Sequence, residues 1–273
     1  MGRFATSWRM FKASWHVLRS RKELVVFPLL SGLAAILVTV IFLTPALFTV
    51  DFDRGEATPG TYVLLGAFYL ATAYVAIFFN AALISQANIA LSGGDPSVAG
   101  GLRVAGRNWL RILPWALLSA TVSIVLRVIE ERLGFLGRIV IGLIGMAWNL
   151  VTYLVLPVLV LEGVGTKDAL RRSASLFRGT WGENVLGNAG IGLFGFLAFL
   201  PAIGLVALGV AAGGATAFAC VAIAIVWGLV VTIVVAALSV IYQTALYRYA
   251  ADGVSAPAFA DADLGHAFPP RRK

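Results

Sequence analysis

The chain has 273 residues, of which 60% are apolar and only 12% charged. A soluble domain carries roughly twice that charged fraction to cover its surface, so water cannot be the solvent around most of this chain. The formal net charge of +8 points to the anionic leaflet of a membrane as the simpler partner than nucleic acid. One cysteine, Cys220, excludes an internal disulfide and a cysteine-rich metal site.

The first segment reads as a surface helix. Phe4, Trp8, Phe11, Trp15 and Leu18 recur at helical spacing, with Arg9, Lys12, His16 and Arg19 along one flank. An aromatic stripe with basic flanks suits a helix lying in the headgroup plane. No charge falls from Leu24 to Val50, which holds a first span, expected to be retained because it is too long for a signal peptide. The gap between Glu56 and Asp95 holds a second, whose later half carries Asn80, Ser85, Gln86 and Asn88. Gly93-Gly94-Asp95-Pro96 is a turn leading to a helix start, where Asp95 or Ser97 is the expected cap.

A second amphipathic stripe follows in Val98, Leu102, Ala105, Trp109 and Ile112, beside Arg103, Arg107 and Arg111. The third span is the shortest, from about Leu110 to Ile129, with Arg111 and Arg127 reaching outward to the interfaces. A re-entrant hairpin of spans three and four is the alternative. Arg127, Glu130 and Glu131 read as solvated ion pairs at helical spacing. Span four lies between Arg138 and Glu162 and contains Asn149, Thr152 and Pro157, the proline being read as an ordinary kink.

The third stripe is Leu170, Ala174, Phe177 and Trp181, beside Lys167, Arg171, Arg172 and Arg178. Between Glu183 and Arg248 lie sixty-four uncharged residues, enough for two spans joined at Ala211-Ala212-Gly213-Gly214. Pro201 falls inside the fifth span, and Gly209 with Gly213 forms a small-residue pair that implies close helix packing. Gln243 occupies in span six the level that Gln86 holds in span two. Residues 254–273 are short, polar and proline-containing, and are expected to form a disordered cytoplasmic tail.

The expected fold is therefore all-α: a single polytopic membrane bundle over residues 1–253, with about six transmembrane helices and three interfacial amphipathic helices. Of the 21 basic residues, 17 fall in the termini and the second-to-third and fourth-to-fifth connections, which places both termini in the cytoplasm. The recurrence of surface helix and hairpin suggests three parallel repeat units, at about 3–93, 95–163 and 166–250. The competing account is that any helix entering a membrane from its charged face is amphipathic and carries an interfacial tryptophan.

The chain resembles an uncharacterised family of bacterial multispanning membrane proteins. The likeness is carried by Phe4-Ala5-Thr6-Ser7-Trp8, Lys12-Ala13-Ser14-Trp15, Phe27-Pro28-Leu29-Leu30-Ser31-Gly32, Phe78-Phe79-Asn80-Ala81-Ala82-Leu83, Gly93-Gly94-Asp95-Pro96, Ala169-Leu170-Arg171-Arg172-Ser173, Thr180-Trp181-Gly182-Glu183 and Ala245-Leu246-Tyr247-Arg248-Tyr249. More loosely, the layout is similar to the membrane domain attached to some glycerophosphodiester phosphodiesterases. The resemblance implies a bacterial plasma membrane and carries over no catalytic residue.

No catalytic, cofactor or metal-binding constellation is visible; His16 and His266 have no carboxylate or cysteine at metal spacing. The candidate sites are of three kinds. Arg103, Arg107, Arg111, Lys167, Arg171, Arg172 and Arg178 are suited to anionic lipid headgroups. Asn80, Gln86, Asn88, Asn149 and Gln243 are intramembrane amides that line a polar pathway or simply bond between helices. Trp8, Trp15, Trp109 and Trp181 are interfacial anchors. The expected function is non-enzymatic binding or transport of a lipid or other amphipathic molecule. The alternative is a membrane scaffold docking a cytoplasmic protein partner, and a homo-oligomer is compatible with either.

Overall fold

The computed structural model describes the backbone of residues 3–51, 56–179 and 181–253, with side chains described over 8–45, 58–134, 137–177 and 191–253. The tail at 254–273 and the side chains of Phe4, Arg178 and Trp181 lie outside these residues. The described chain forms ten helices. In order they are α1 (Arg3–Ser20), α2 (Glu23–Thr49), α3 (Pro59–Leu91), α4 (Val98–Arg107), α5 (Trp109–Arg132), α6 (Phe135–Thr152), α7 (Val155–Leu161), α8 (Thr166–Gly179), α9 (Trp181–Ala212) and α10 (Gly214–Asp252). A short antiparallel pairing not anticipated from sequence, β1 (Val50–Asp51) with β2 (Glu56–Ala57), closes the turn between α2 and α3.

Six segments are long and apolar enough to cross a membrane: Glu23–Pro45, Pro59–Leu91, Trp109–Arg132, Gly137–Leu161, Ile191–Ala212 and Gly214–Asp252. At most 22% of each apolar window is buried, so these helices present apolar side chains all round, such as Leu33, Ile36, Leu37, Val40 and Ile41 on α2. Such a surface is stable only in lipid. The third span is one uninterrupted helix of 24 residues, or about 36 Å, long enough for a full crossing. A short amphipathic helix precedes a pair of long apolar ones three times along the chain: α1, α4 and α8.

The chain packs as two compact units. The first comprises residues 1–28, 87–96 and 179–273. Its centre is the α9–α10 hairpin with α1 packed on both helices. The hairpin turns at Gly213 and Gly214, both at positive φ (65° and 56°), which side chains tolerate poorly. Gly213 thus serves the turn, and only Gly209 of the expected pair serves packing. A Cβ on Gly209 would come within 2.9 Å of the Cys220 Cβ and 3.3 Å of the Ala217 carbonyl oxygen. Pro201 lies inside α9 and lacks the N–H that would bond the Leu197 carbonyl. One residue along, Trp227 Nε1 donates to the Ala198 carbonyl at 2.8 Å, joining the two helices. The core of this unit gathers at the far end of the hairpin from the turn, around Ala237, Leu238, Ile241, Tyr242, Ala245 and Leu246 of α10.

The second unit comprises residues 29–86 and 97–178. Its core is formed by Ala81–Ile84 of α3, Ile112, Trp115 and Ala116 of α5, and Leu154–Val160 of α7. Trp115 stacks on Trp148 of α6 at 6.3 Å. Span four is broken rather than kinked. Pro157 cannot donate to the Tyr153 carbonyl, and α6 ends at Thr152 before α7 begins at Val155. Tyr153 N bonds Leu150 O at 3.3 Å, a tightened last turn. The released Val151 carbonyl accepts from Ser173 Oγ of α8 at 2.6 Å, and Ser173 is fully buried.

Gly209→Val is expected to destabilise the chain by about 1–3 kcal/mol through overpacking. Gly204→Ala, where a Cβ meets nothing within 4 Å, is neutral by the same reasoning. Thermal unfolding in detergent, followed by tryptophan fluorescence, compares the two; equal melting temperatures would remove Gly209 as a packing contact.

Candidate functional site

The amphipathic helices carry most of the candidate side chains, and the structure resets which faces they bury. On α1 the buried face is Met10, Ala13, Ser14, Val17 and Leu18. The expected aromatic stripe is its neighbour: Trp8 and Trp15 are 42% and 43% exposed. Trp8, Phe11 and Trp15 form a stacked ladder at 5.6 and 6.3 Å, and Phe194 of α9 lies 4.8 Å from Trp8 and 4.7 Å from Phe11. Lys12 Nζ sits 5.2 Å from the centroid of the Trp8 ring, a cation–π contact. α1 is therefore docked through one face while its aromatic edge remains accessible.

On α4 and the start of α5, Gly101, Ala105, Asn108 and Ile112 are buried, while Arg103, Arg107 and Arg111 are exposed at four-residue intervals. Trp109 is half exposed, as an interfacial anchor requires. Ser97, not Asp95, caps α4, accepting from Gly100 N at 3.1 Å. On α8 the buried face is Ala169, Ser173, Leu176 and Phe177, shifted by one residue from the expected Leu170, Ala174, Phe177 stripe. The shift follows from Ser173, whose bond to the broken span turns that side of the helix inward. Lys167, Arg171 and Arg172 are exposed.

The α4–α5 and α7–α8 junctions meet at Arg111. Its carbonyl accepts from Thr166 Oγ1 at 3.4 Å, and its Nη1 donates to Asn108 Oδ1 at 2.9 Å. Gly163, at φ 66°, leaves room there: a Cβ would stand 3.4 Å from Arg111 Nη1. Arg172 Nε donates to Glu162 Oε1 at 3.2 Å. Two of the predicted headgroup residues are thus already engaged, and Arg103, Arg107, Lys167 and Arg171 form the accessible set.

Among the intramembrane amides, Gln86 and Asn88 have distinct local partners. Gln86 is buried in the second unit, where its Oε1 accepts from Ser97 N at 2.8 Å and its Nε2 donates to Ser85 Oγ at 3.2 Å. It fixes the start of α4. Asn88, in the first unit, accepts from Arg248 Nη1 at 3.0 Å through its carbonyl and 3.4 Å through Oδ1. The same guanidinium also donates to Ser92 Oγ. Arg248 of α10 therefore adds a charged donor at the C-terminal end of α3, on a carbonyl that also accepts from Ser92 N at 3.1 Å and Ser92 Oγ at 2.9 Å. Asn80 and Gln243 are half-buried, and Asn149 is exposed on α6. Arg21 pairs with Asp95 in the first unit, a contact that sequence spacing gave no means of finding.

Arg248→Ala should cost about 1–2 kcal/mol, since a charge-assisted cap is lost at a half-exposed site. The melting temperature in detergent is expected to fall by roughly 3–6 °C. An unchanged value would mean that the α3 terminus needs no donor from α10.

No curated protein and no solved structure matches the chain. A family of unknown function, DUF6159, matches residues 60–257, from the start of α3 through α10, well over half the sequence. The chain, a protein of six apolar helices each long enough to cross a membrane, belongs to the DUF6159 family of unknown function.

Proposed function

We propose that this chain is a non-enzymatic protein of a bacterial plasma membrane that binds anionic or other amphipathic lipid through the exposed basic faces of its surface helices, with both termini cytoplasmic. The observation that carries this reading is the division of α4 and α8 into a buried small or apolar face and an exposed cationic one. Arg103 and Arg107 of α4 and Lys167 and Arg171 of α8 lie in one compact unit, joined through the Arg111–Thr166 contact. Cations at the level of the headgroups attract anionic lipid by up to about 1 kcal/mol each. Within the same unit the half-exposed Trp109 supplies apolar anchoring beside these cations. The basic bias of the termini and of these two connections supports the cytoplasmic placement.

Two measurements test this. Arg103→Glu/Arg107→Glu should lower the phosphatidylglycerol retained by the purified chain about tenfold or more, read by native mass spectrometry. Unchanged lipid content would sink the binding reading. In a Cys220→Ser background, His16→Cys on the exposed side of α1 should react with a membrane-impermeant maleimide only after the cells are permeabilised. Labelling of intact cells would reverse the topology.

A further inference from the structure

Beside the arginine stripe lies a cleft of different chemistry. It has a volume of about 350 Å³ and is lined by Glu162, Val164, Asp168, Arg171, Arg172 and Ser175. Two carboxylates and two guanidiniums give its wall a formal charge of zero. It begins where span four ends: Val155–Val160 are buried, and Glu162 is the first charge after twenty-three uncharged residues. That places the cleft at the polar edge of the hydrocarbon layer.

We propose that this cleft binds the zwitterionic headgroup of a phospholipid bearing a primary ammonium. The assignment rests on the reading that the second unit faces lipid headgroups, but not on the Arg103–Arg107 stripe. An anion entering here would meet Glu162 and Asp168, and a cation would meet Arg171 and Arg172. A net-neutral ligand carrying both charges opposes neither set. The Arg172–Glu162 contact lies on the cleft wall, with Nε donating to Oε1 at 3.2 Å. A zwitterion exchanges the pair rather than breaking it: the ammonium donates to Glu162 and Asp168, and the phosphate accepts from Arg172 and Arg171. The Ser175 hydroxyl, which donates to the Arg172 carbonyl at 2.7 Å, keeps lone pairs for the ammonium. A quaternary choline nitrogen has no N–H to donate, and a glycerol headgroup has no cation, so the cleft discriminates against both.

The test uses the full chain in detergent with phosphatidylethanolamine, phosphatidylcholine and phosphatidylglycerol of matched acyl chains, read by native mass spectrometry. The ethanolamine lipid should be retained about fivefold over the choline lipid, the discrimination expected of an exposed ion pair. Glu162→Gln and Asp168→Asn should each reduce that preference without lowering phosphatidylglycerol retention. Asp168 is exposed on the first turn of α8 and outside the Arg172 pair, so its variant carries the test if Glu162→Gln does not fold. Equal retention of the ethanolamine and choline lipids, or a preference intact in the folded variants, overturns the proposal. Soluble phosphoethanolamine protecting the chain from unfolding as well as the lipid does would overturn a membrane lipid as its source. Arg103→Glu/Arg107→Glu should leave the ethanolamine preference in place. If that double variant keeps its phosphatidylglycerol while the preference holds, the arginine stripe fails and the cleft stands.

Discussion

A peptide carbonyl in hydrocarbon has no water to bond, and leaving it unpaired costs several kcal/mol. The described structure is organised by that constraint. Regular helix satisfies it nearly everywhere, and three side-chain donors reach a backbone carbonyl of another helix. Ser173 of α8 takes the Val151 carbonyl at the break in span four. Trp227 of α10 takes the Ala198 carbonyl beside Pro201. Arg248 of α10 takes the Asn88 carbonyl at the end of α3. These bonds are few, but each ties one element to another at a fixed register, which lipid-facing apolar contacts do not do.

The same constraint explains why the surface helices are docked rather than simply afloat in the interface. α8 is held through its buried Ser173, and α1 through Met10, Ala13, Val17 and Leu18 against α9 and α10. What remains accessible on each is the face that internal bonding does not use. On α1 this is the aromatic ladder, and on α4 and α8 it is the arginines. The exposed chemistry is thus a residue of the packing, and its position on the molecule is set by the donors behind it.

The spans and their ends were readable from charge gaps, because placing a charge in hydrocarbon is costly and sequence records where that is avoided. The Gly213–Gly214 turn, the start of α4 at Ser97 and the three amphipathic helices were legible for the same local reasons. The faces were not. The period of Leu170, Ala174 and Phe177 identifies a helix, but the direction it turns depends on Ser173 meeting a carbonyl twenty-two residues earlier. Pro157 read as a kink because sequence does not reveal whether a neighbouring helix will donate to a carbonyl exposed at a break. The amides were legible as polar, but their individual partners were not. Gln86 caps the approach to α4 and Asn88 receives Arg248, roles fixed by long-range contacts that no spacing rule reports.

The Gly213–Gly214 turn has an electrical consequence. Between Glu183 and Arg248 the chain carries no charged side chain, so the stretch from 184 to 247, with its turn, holds no formal charge that a membrane field could act on. Each elementary charge carried across would involve work of about 2.3 kcal/mol per 100 mV. The α2–α3 connection, with Asp51, Asp53, Arg54 and Glu56, and the α5–α6 connection, with Arg132 and Arg138, do not share that freedom. Moving the 184–247 stretch across a membrane field would involve no such electrical work on its side chains.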